Sequence, residues 1–350
     1  MIFDKLLEIR EFEDLPYKLE TVQKNDEIII LNGNAIIPIL GIRQCYDISE
    51  NIEVKDQDGN ILGILCKCKD RHLEVSEMTE WEYYAFLFEA DELTAEYQFK
   101  NNYIVINESR IDEYKSDYYF SAPLWGGFYH ENINIQPHKK TVSEICAVKN
   151  INLPTSYHKE NSIRSVDEIY SFERFLKSYH LLELLFEFDF VNSIKSLPDD
   201  IKGIGEILNK YNNKEIVRLK SIVNSRCSNI SKIGDSLNTA DNFKDKAKKI
   251  FWDYGKDSNP IKDESEFDFY LQGNFDLEGF KRKHRTSPQN ESIKYREFIV
   301  SVSTYFIYRI RCSIVHNRIG EYVMTYDDEE FVCDFGEPLL NEILVQAFIE

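Results

Sequence analysis

The sequence predicts an α+β protein with two domains, a strand-rich mixed domain over residues 1–160 and an all-α helical bundle with a small β-hairpin over residues 161–350. Three observations support this. Short apolar runs separated by turn residues fill the first part, whereas apolar residues recur every three or four positions in the second. The chain has 350 residues, 43% of them hydrophobic and 13% aromatic, which is a globular composition.

The first domain opens with paired strand signals. Residues 27–31 and 35–40 are isoleucine-rich runs separated by Asn-Gly. Residues 52–55 and 61–66 flank the sequence Asp-Gln-Asp-Gly-Asn, which is typical of a hairpin turn. A mixed, strand-rich domain is therefore expected.

A helix and an irregular passage complete this domain. Residues 77–92 are predicted to form one helix. Further along, Pro123, Pro137 and Pro154 interrupt any regular element. The domain boundary is predicted to follow them, near residue 160.

Helical periodicity begins in the second domain. Apolar residues from Ile169 to Phe186 follow a spacing of three and four, and Pro198 closes that segment. Further helices are predicted at residues 201–211, 213–227 and 241–254.

A long apolar helix is predicted near the C-terminus. It runs from about Ile293 to His316 and is apolar nearly all round between Phe298 and Val315. Such a helix is buried, either in a bundle or in a dimer interface.

The last elements are predicted to be a hairpin and a helix. Residues 322–326 and 331–335 surround Asp-Asp-Glu-Glu and are predicted to pair as two short strands. Pro338 is predicted to begin a final helix that ends at Phe348.

Charge is distributed unevenly along this acidic chain. The net charge is −19, which argues against a general nucleic-acid coat protein. Residues 1–150 carry −13, whereas residues 281–318 hold nine basic and two acidic side chains. We therefore expect the first domain to be a sensor or to bind a basic protein partner, and any polyanion to bind near the basic stretch.

Several classes are not supported by sequence signals. Cys66 and Cys68 are separated by one residue rather than the two usual in zinc sites, so no metal and no cofactor is expected. Neither a secretory signal nor a run of roughly 20 apolar residues is recognised. The prediction is a cytoplasmic protein without membrane contact.

Arg311-Cys-Ser-Ile-Val-His316 is the passage that we expect to carry chemistry. Chance alone supplies about one Arg-x4–6-His match in a chain with 7 histidines, and Arg309 with His316 and Arg174 with His180 fit as well. Arg311 and His316 stand out because they close the most apolar helix within the basic stretch. In a straight helix they diverge by about 140°, so contact requires the arginine to reach round or the helix to end.

This passage resembles the signature of the HEPN superfamily. The likeness rests on Arg311 and His316 with Asn317 after them, at the end of a long core helix, and on the aromatic and acidic segment 172–183. It covers roughly residues 160–350. It implies a HEPN-like bundle that acts as a homodimeric, metal-independent endoribonuclease on tRNA, mRNA or rRNA, often as a toxin or antiviral defence effector.

The residue types suit RNA cleavage. Cleavage without a metal needs a base for the ribose 2′-OH, an acid for the leaving 5′ oxygen and a cation for the phosphorane. His316 supplies proton transfer and Arg311 supplies a permanent cation. Two subunits about a two-fold axis would supply two histidines.

Other residues are weaker candidates for this site. Asn317 either orients His316 or caps the helix, and Arg309 and Arg318 are candidate RNA-binding residues. Glu173 and Arg174 are candidate supports for the catalytic pair.

Two alternatives to an RNase stay open. The family often carries a polar residue after the arginine, where this chain has Cys312, so a non-catalytic scaffold or regulatory subunit is one alternative. The other alternative is that Arg309, Arg311 and Arg318 bind a nucleotide or another anion.

Overall fold

The computed structural model of the protein describes residues 16–25, 28–43, 45–131, 137–142, 145–197, 199–211, 214–316, 318 and 320–349. The chain divides into two compact units, Met1–Asn134 and Ile135–Glu350. The second unit therefore begins before residue 161, where the sequence places it. The reason is local, because the helix Ser156–Asp167 packs against the helix that follows it.

The first unit contains a six-stranded antiparallel sheet with the strand order β1-β2-β3-β9-β6-β5. Two smaller sheets pair β4 with β10 and β7 with β8. The strands are β1 Val22–Asn25, β2 Ile28–Leu31, β3 Asn34–Ile39, β4 Gly41–Ile42, β5 Ile52–Lys55, β6 Ile61–Cys66, β7 His72–Glu74, β8 Glu96–Gln98, β9 Asn102–Asn107 and β10 Phe128–Tyr129.

The predicted hairpin in this sheet is confirmed. β5 pairs with β6, and the Asp56 carboxylate accepts hydrogen bonds from the backbone N–H groups of Asp58 (3.0 Å) and Asn60 (2.9 Å). Gly59 takes a φ of +84°, which the Asp-Gly pair of the turn allows.

Both faces of the central strands are buried. On β3, Ile36 packs into one core and its neighbour Ile37 into the opposite core, and Val105 and Ile104 alternate in the same way on β9. The helix Glu80–Glu89 contributes to the first core. Burial on both faces explains why these strands are continuous apolar runs rather than alternating ones.

Helices dominate the second unit, as predicted, and the α+β class is confirmed. Numbered in chain order through both units, the α-helices of the described residues begin in the first unit with α1 Glu80–Glu89, α2 Ile111–Glu113 and α3 Ala122–Trp125. Those of the second unit are α4 Ser156–Asp167, α5 Ser171–Lys195, α6 Ile201–Tyr211, α7 Glu215–Arg226, α8 Ile230–Asn238, α9 Lys244–Lys248, α10 Glu264–Tyr270, α11 Leu277–Lys283, α12 Glu291–Val315, α13 Glu329–Phe331 and α14 Glu337–Phe348.

Helix α12 occupies the core of this unit. It contacts α5, α7, α8, α11 and α14. Of the helices in the described residues, α12 is long and apolar enough to cross a membrane. However, 67% of its most apolar 18-residue stretch is buried inside the unit. Its burial is that of a helix in the core of the unit.

The predicted hairpin at residues 322–335 is wrong. Its second half is helical, with α13 followed by a π-helical turn at Val332–Gly336 that continues into α14. Phe331 and Phe335 lie four residues apart and are both fully buried, which suits a helix face as well as a strand. The acidic run, for which the sequence predicts a turn, instead begins a helix, where the Thr325 N–H donates to the Asp328 carboxylate (3.0 Å).

Two helical glycines provide a test of packing in the second unit. An added Cβ at Gly234 in α8 would lie 2.6 Å from the Phe275 carbonyl oxygen and 2.7 Å from the Tyr295 hydroxyl, whereas one at Gly205 in α6 meets no atom within 4 Å. We expect Gly234→Ala to destabilise the protein by about 1–3 kcal/mol. Gly205→Ala, the matched control, should stabilise it by about 0.5–1 kcal/mol. Urea unfolding measures both, and equal effects would contradict the packing described.

Candidate functional site

The end of α12 determines where His316 lies. The helix ends at Val315, and His316 leaves it with φ −110° and ψ 95° while its N–H still donates to the Cys312 carbonyl (2.8 Å). The backbone at His316 is therefore extended, which relieves the divergence expected in a straight helix.

Arg311 and His316 are in direct contact. Arg311 Nη1 lies 3.3 Å from His316 Nε2, and both side chains are half-buried. A guanidinium group can only donate hydrogen bonds, so Nε2 accepts in this contact. A ring whose Nε2 accepts a hydrogen bond carries a proton on Nδ1.

Two carboxylates complete the surroundings of Arg311. Glu183 Oε1 on α5 lies 3.5 Å from Nη2, and Glu215 Oε1 at the start of α7 lies 3.5 Å from Nε. The Tyr179 hydroxyl donates to the same Glu215 oxygen (2.7 Å), and the Arg311 guanidinium lies 5.8 Å from the Tyr179 ring centroid.

These contacts shift two ionisation equilibria. Burial lowers the pKa of Arg311, but the charges of Glu215 and Glu183 outweigh it and the net pKa is raised. Burial, and secondly the Glu215 charge, hold the pKa of Tyr179 well above its ordinary value. Arg311 is thus a permanent cation and Tyr179 a neutral donor at physiological pH.

A cavity of about 460 Å³ adjoins this network. Glu183 and Glu215 form part of its wall, together with His180 and Arg218. Its volume falls in the range of small-molecule sites. His180 Nε2 lies 3.8 Å from Glu183 Oε2, so a second histidine of the same chain borders the carboxylates that hold Arg311.

No protein-family profile, curated protein or solved structure matches this chain. The site must therefore be interpreted from its own geometry.

The structure places Arg309, another predicted binding residue, in the core rather than beside the pair. Arg309 is only 2% exposed, and its Nη2 donates to Glu321 (2.7 Å) and to the Tyr254 carbonyl (2.9 Å). Arg309 lies on the face of α12 that packs into the core, so its side chain points away from solvent. Arg318 is exposed, and Asn317 lies outside the described residues.

The residues predicted to support the pair, Glu173 and Arg174, lie near the start of α5, well before Glu183. Arg174 forms an ion pair with Glu337 (2.9 Å), and Glu173 is exposed in the first turn of the helix. Another Arg-x4–6-His pair, Arg174 with His180, does not form a contact either, because Arg174 pairs with Glu337 and His180 lies beside Glu183. The side chains that surround Arg311 are therefore Glu183, Glu215 and Tyr179, and not the predicted Glu173 and Arg174.

Cys312 is buried in the core, and part of the basic stretch is paired with acidic side chains. Cys312 is 5% exposed, and burial raises the pKa of its thiol, so it is a neutral core side chain. Lys281 forms ion pairs with Glu278 (3.0 Å) and Glu291 (3.4 Å). Part of the predicted positive charge is therefore already compensated.

Proposed function

We propose that this chain is a cytoplasmic, metal-independent endoribonuclease of the HEPN type. The observation that carries the proposal is the contact between Arg311 and His316, where the carboxylates next to Arg311, Glu183 and Glu215, line a solvent cavity. It combines a permanent cation with a proton-transferring imidazole at 3.3 Å. They supply the cation and one of the two proton-transferring groups that cleavage through the ribose 2′-OH requires.

Each group has a defined part in the proposed reaction. Arg311 binds the scissile phosphate and stabilises the charge that develops on the phosphorane. His316 Nε2 accepts the 2′-OH proton once substrate replaces its contact with Arg311. A second His316, contributed by another copy in a homodimer, donates a proton to the leaving 5′ oxygen.

Glu183 and Glu215 act as the resting counter-charges of Arg311 in this scheme. Both contacts measure 3.5 Å, longer than the roughly 2.7–2.9 Å of a strong charge-assisted hydrogen bond. A phosphate can therefore exchange for a carboxylate at moderate cost. The carboxylates on the cavity wall accept hydrogen bonds from nucleobase amino groups more readily than they tolerate a phosphate.

The purified protein should cleave total RNA at an unchanged rate when EDTA replaces Mg²⁺. Because the 2′-OH is the nucleophile, the products should end in 2′,3′-cyclic phosphate. A defined RNA substrate with deoxyribose at the cleaved nucleotide should resist cleavage. Gel electrophoresis and mass spectrometry measure both. Specific activity should rise with protein concentration if the homodimer is active, and a Mg²⁺ requirement would contradict the mechanism.

A non-catalytic scaffold or regulatory subunit is the second candidate function. The two carboxylates facing Arg311 favour it, because they neutralise the cation that a phosphate needs. Absence of cleavage under every condition above would support this alternative.

The first unit is proposed to sense a trigger or bind a basic partner. Its support is the charge of residues 1–134, which hold 12 basic and 27 acidic side chains and so carry a net charge of −15. A role as a toxin or phage-defence effector rests on the family resemblance.

A further inference from the structure

A second cluster of reactive side chains lies in the helical unit. His138, Cys333 and Asp334 place one imidazole nitrogen, one sulfur and one carboxylate oxygen within 4.8 Å of one another. His138 Nε2 lies 3.1 Å from Asp334 Oδ2. Cys333 is buried, and the other two residues are half-buried. Nitrogen, sulfur and oxygen in this combination are the ligands that zinc takes in proteins.

An independent observation concerns the second oxygen of Asp334. Oδ1 is buried and has no hydrogen-bond partner. Lys140 Nζ approaches it only to 3.5 Å, which is an ion pair without a hydrogen bond. A buried carboxylate oxygen in this state is costly unless a cation approaches it closely.

We propose that His138, Cys333 and Asp334 bind one divalent transition-metal ion of the zinc class, with water as a fourth ligand. A tetrahedral zinc site needs its ligand atoms roughly 3.4–3.8 Å apart. The three atoms lie within 4.8 Å of one another, and His138 lies in a segment without helix or strand, where its side chain can adjust to an ion. Cys333 and Asp334 are held by the π-helical turn Val332–Gly336.

The charges around the cluster can accommodate the ion. Lys140 faces Asp334 and competes with a metal for the same oxygen. Arg174 Nη2 lies 3.7 Å from Cys333 Sγ, where it can donate to a metal-bound thiolate. Glu337 pairs with Arg174. Burial raises the pKa of Cys333 to about 11, so the ion must displace a proton, which a coordinated metal does.

A path from solvent leads to His138. The residue borders a cavity of about 670 Å³ that is also lined by Pro137, Lys139, Tyr326 and Glu330. The ion would join the segment 137–142 to the turn that precedes α14. It is structural and separate from Arg311 and His316, so RNA cleavage in EDTA is compatible with it.

Cobalt provides a direct test. The full-length protein, freed of metal by chelator and dialysis, is titrated with Co²⁺. We expect one ion per chain, with a near-ultraviolet thiolate-to-cobalt charge-transfer band and the visible bands of a four-coordinate site. Cys333→Ser should abolish the charge-transfer band, and Asp334→Asn should weaken binding about tenfold or more.

Lys140→Met separates this proposal from adventitious binding and from misfolding. Removing the competing ammonium should tighten Co²⁺ binding about threefold or more. His72→Ala, which removes an exposed histidine of the first unit, should leave binding unchanged. Absence of the band, its persistence in Cys333→Ser, or an affinity that Lys140→Met does not raise would overturn the proposal.

Discussion

His316→Ala is expected to lower the rate of RNA cleavage about 10²–10⁴-fold, because it removes the group that transfers protons. The fold should remain intact, since His316 follows the last residue of α12 and is half-buried. Initial rates on a defined RNA in EDTA measure the effect, and circular dichroism and thermal unfolding check the fold. Because the variant is purified in the same way, it also controls for contaminating ribonuclease.

Arg311→Lys should reduce cleavage by a similar order, about 10²-fold or more. Lysine keeps the positive charge beside Glu183 and Glu215 but loses the planar fork that can hold a phosphate and face His316 together. This choice avoids leaving two carboxylates unpaired, which Arg311→Ala would do. The loss would therefore report on geometry rather than on stability.

Matched controls remove one arginine or histidine elsewhere. Arg164 and His72 are exposed and form ion pairs with Glu160 and Glu96. Arg164→Ala and His72→Ala should retain wild-type cleavage. Undiminished cleavage by both His316→Ala and Arg311→Lys would refute the site.

Much of this site could be predicted because it is local in sequence. Arg311 lies in α12 and His316 directly follows it, and the apolar pattern of the helix already located its end. Their contact depends on the extended backbone at His316, a detail that spacing alone does not determine. Glu183 and Glu215 were missed because they come from other helices, and no local pattern distinguishes them from surface glutamates. Only the four-residue spacing of Tyr179 and Glu183 on α5 offered a signal.

The fold shows the same division between local and distant information. Hairpin β5–β6 was predicted because a five-residue turn sequence encodes it, and α12 because its apolar periodicity is long. The region 322–335 was misassigned because Phe331 and Phe335 fit a helix and a strand alike. Tertiary packing in the helical core decides between them, as both are fully buried there.

Arg309 illustrates a residue whose type predicts one role and whose burial gives another. Two positions before Arg311, it was a candidate for RNA binding. The structure instead ties it to Glu321, five residues after His316, which holds the chain after α12 against the helix. The ion pair therefore bears on the stability of the fold and on the position of His316.

Glu321→Ala is expected to destabilise the helical unit by about 3–5 kcal/mol, because it leaves the 2%-exposed Arg309 side chain as an unpaired buried cation. The Tyr254 carbonyl remains as an acceptor but carries no compensating charge. Urea unfolding followed by circular dichroism measures the change in free energy. Lys256→Met is the matched control: its ammonium contacts the other Glu321 oxygen at 2.8 Å but is 44% exposed, so its loss should cost at most about 1 kcal/mol.

The pH dependence distinguishes this ion pair from simple packing. Burial raises the pKa of Glu321, but hydrogen bonds from Lys256 and Arg309 outweigh it, and the folded-state pKa lies below the ordinary value of 4.5. The ionised carboxylate therefore contributes stability above pH 4.5, and this contribution is lost as the pH falls through the folded-state pKa. The stability difference between wild type and Glu321→Gln should accordingly be full at pH 7 and shrink below about pH 4.5. A difference that stays constant down to pH 3 would show that shape, not charge, holds Arg309.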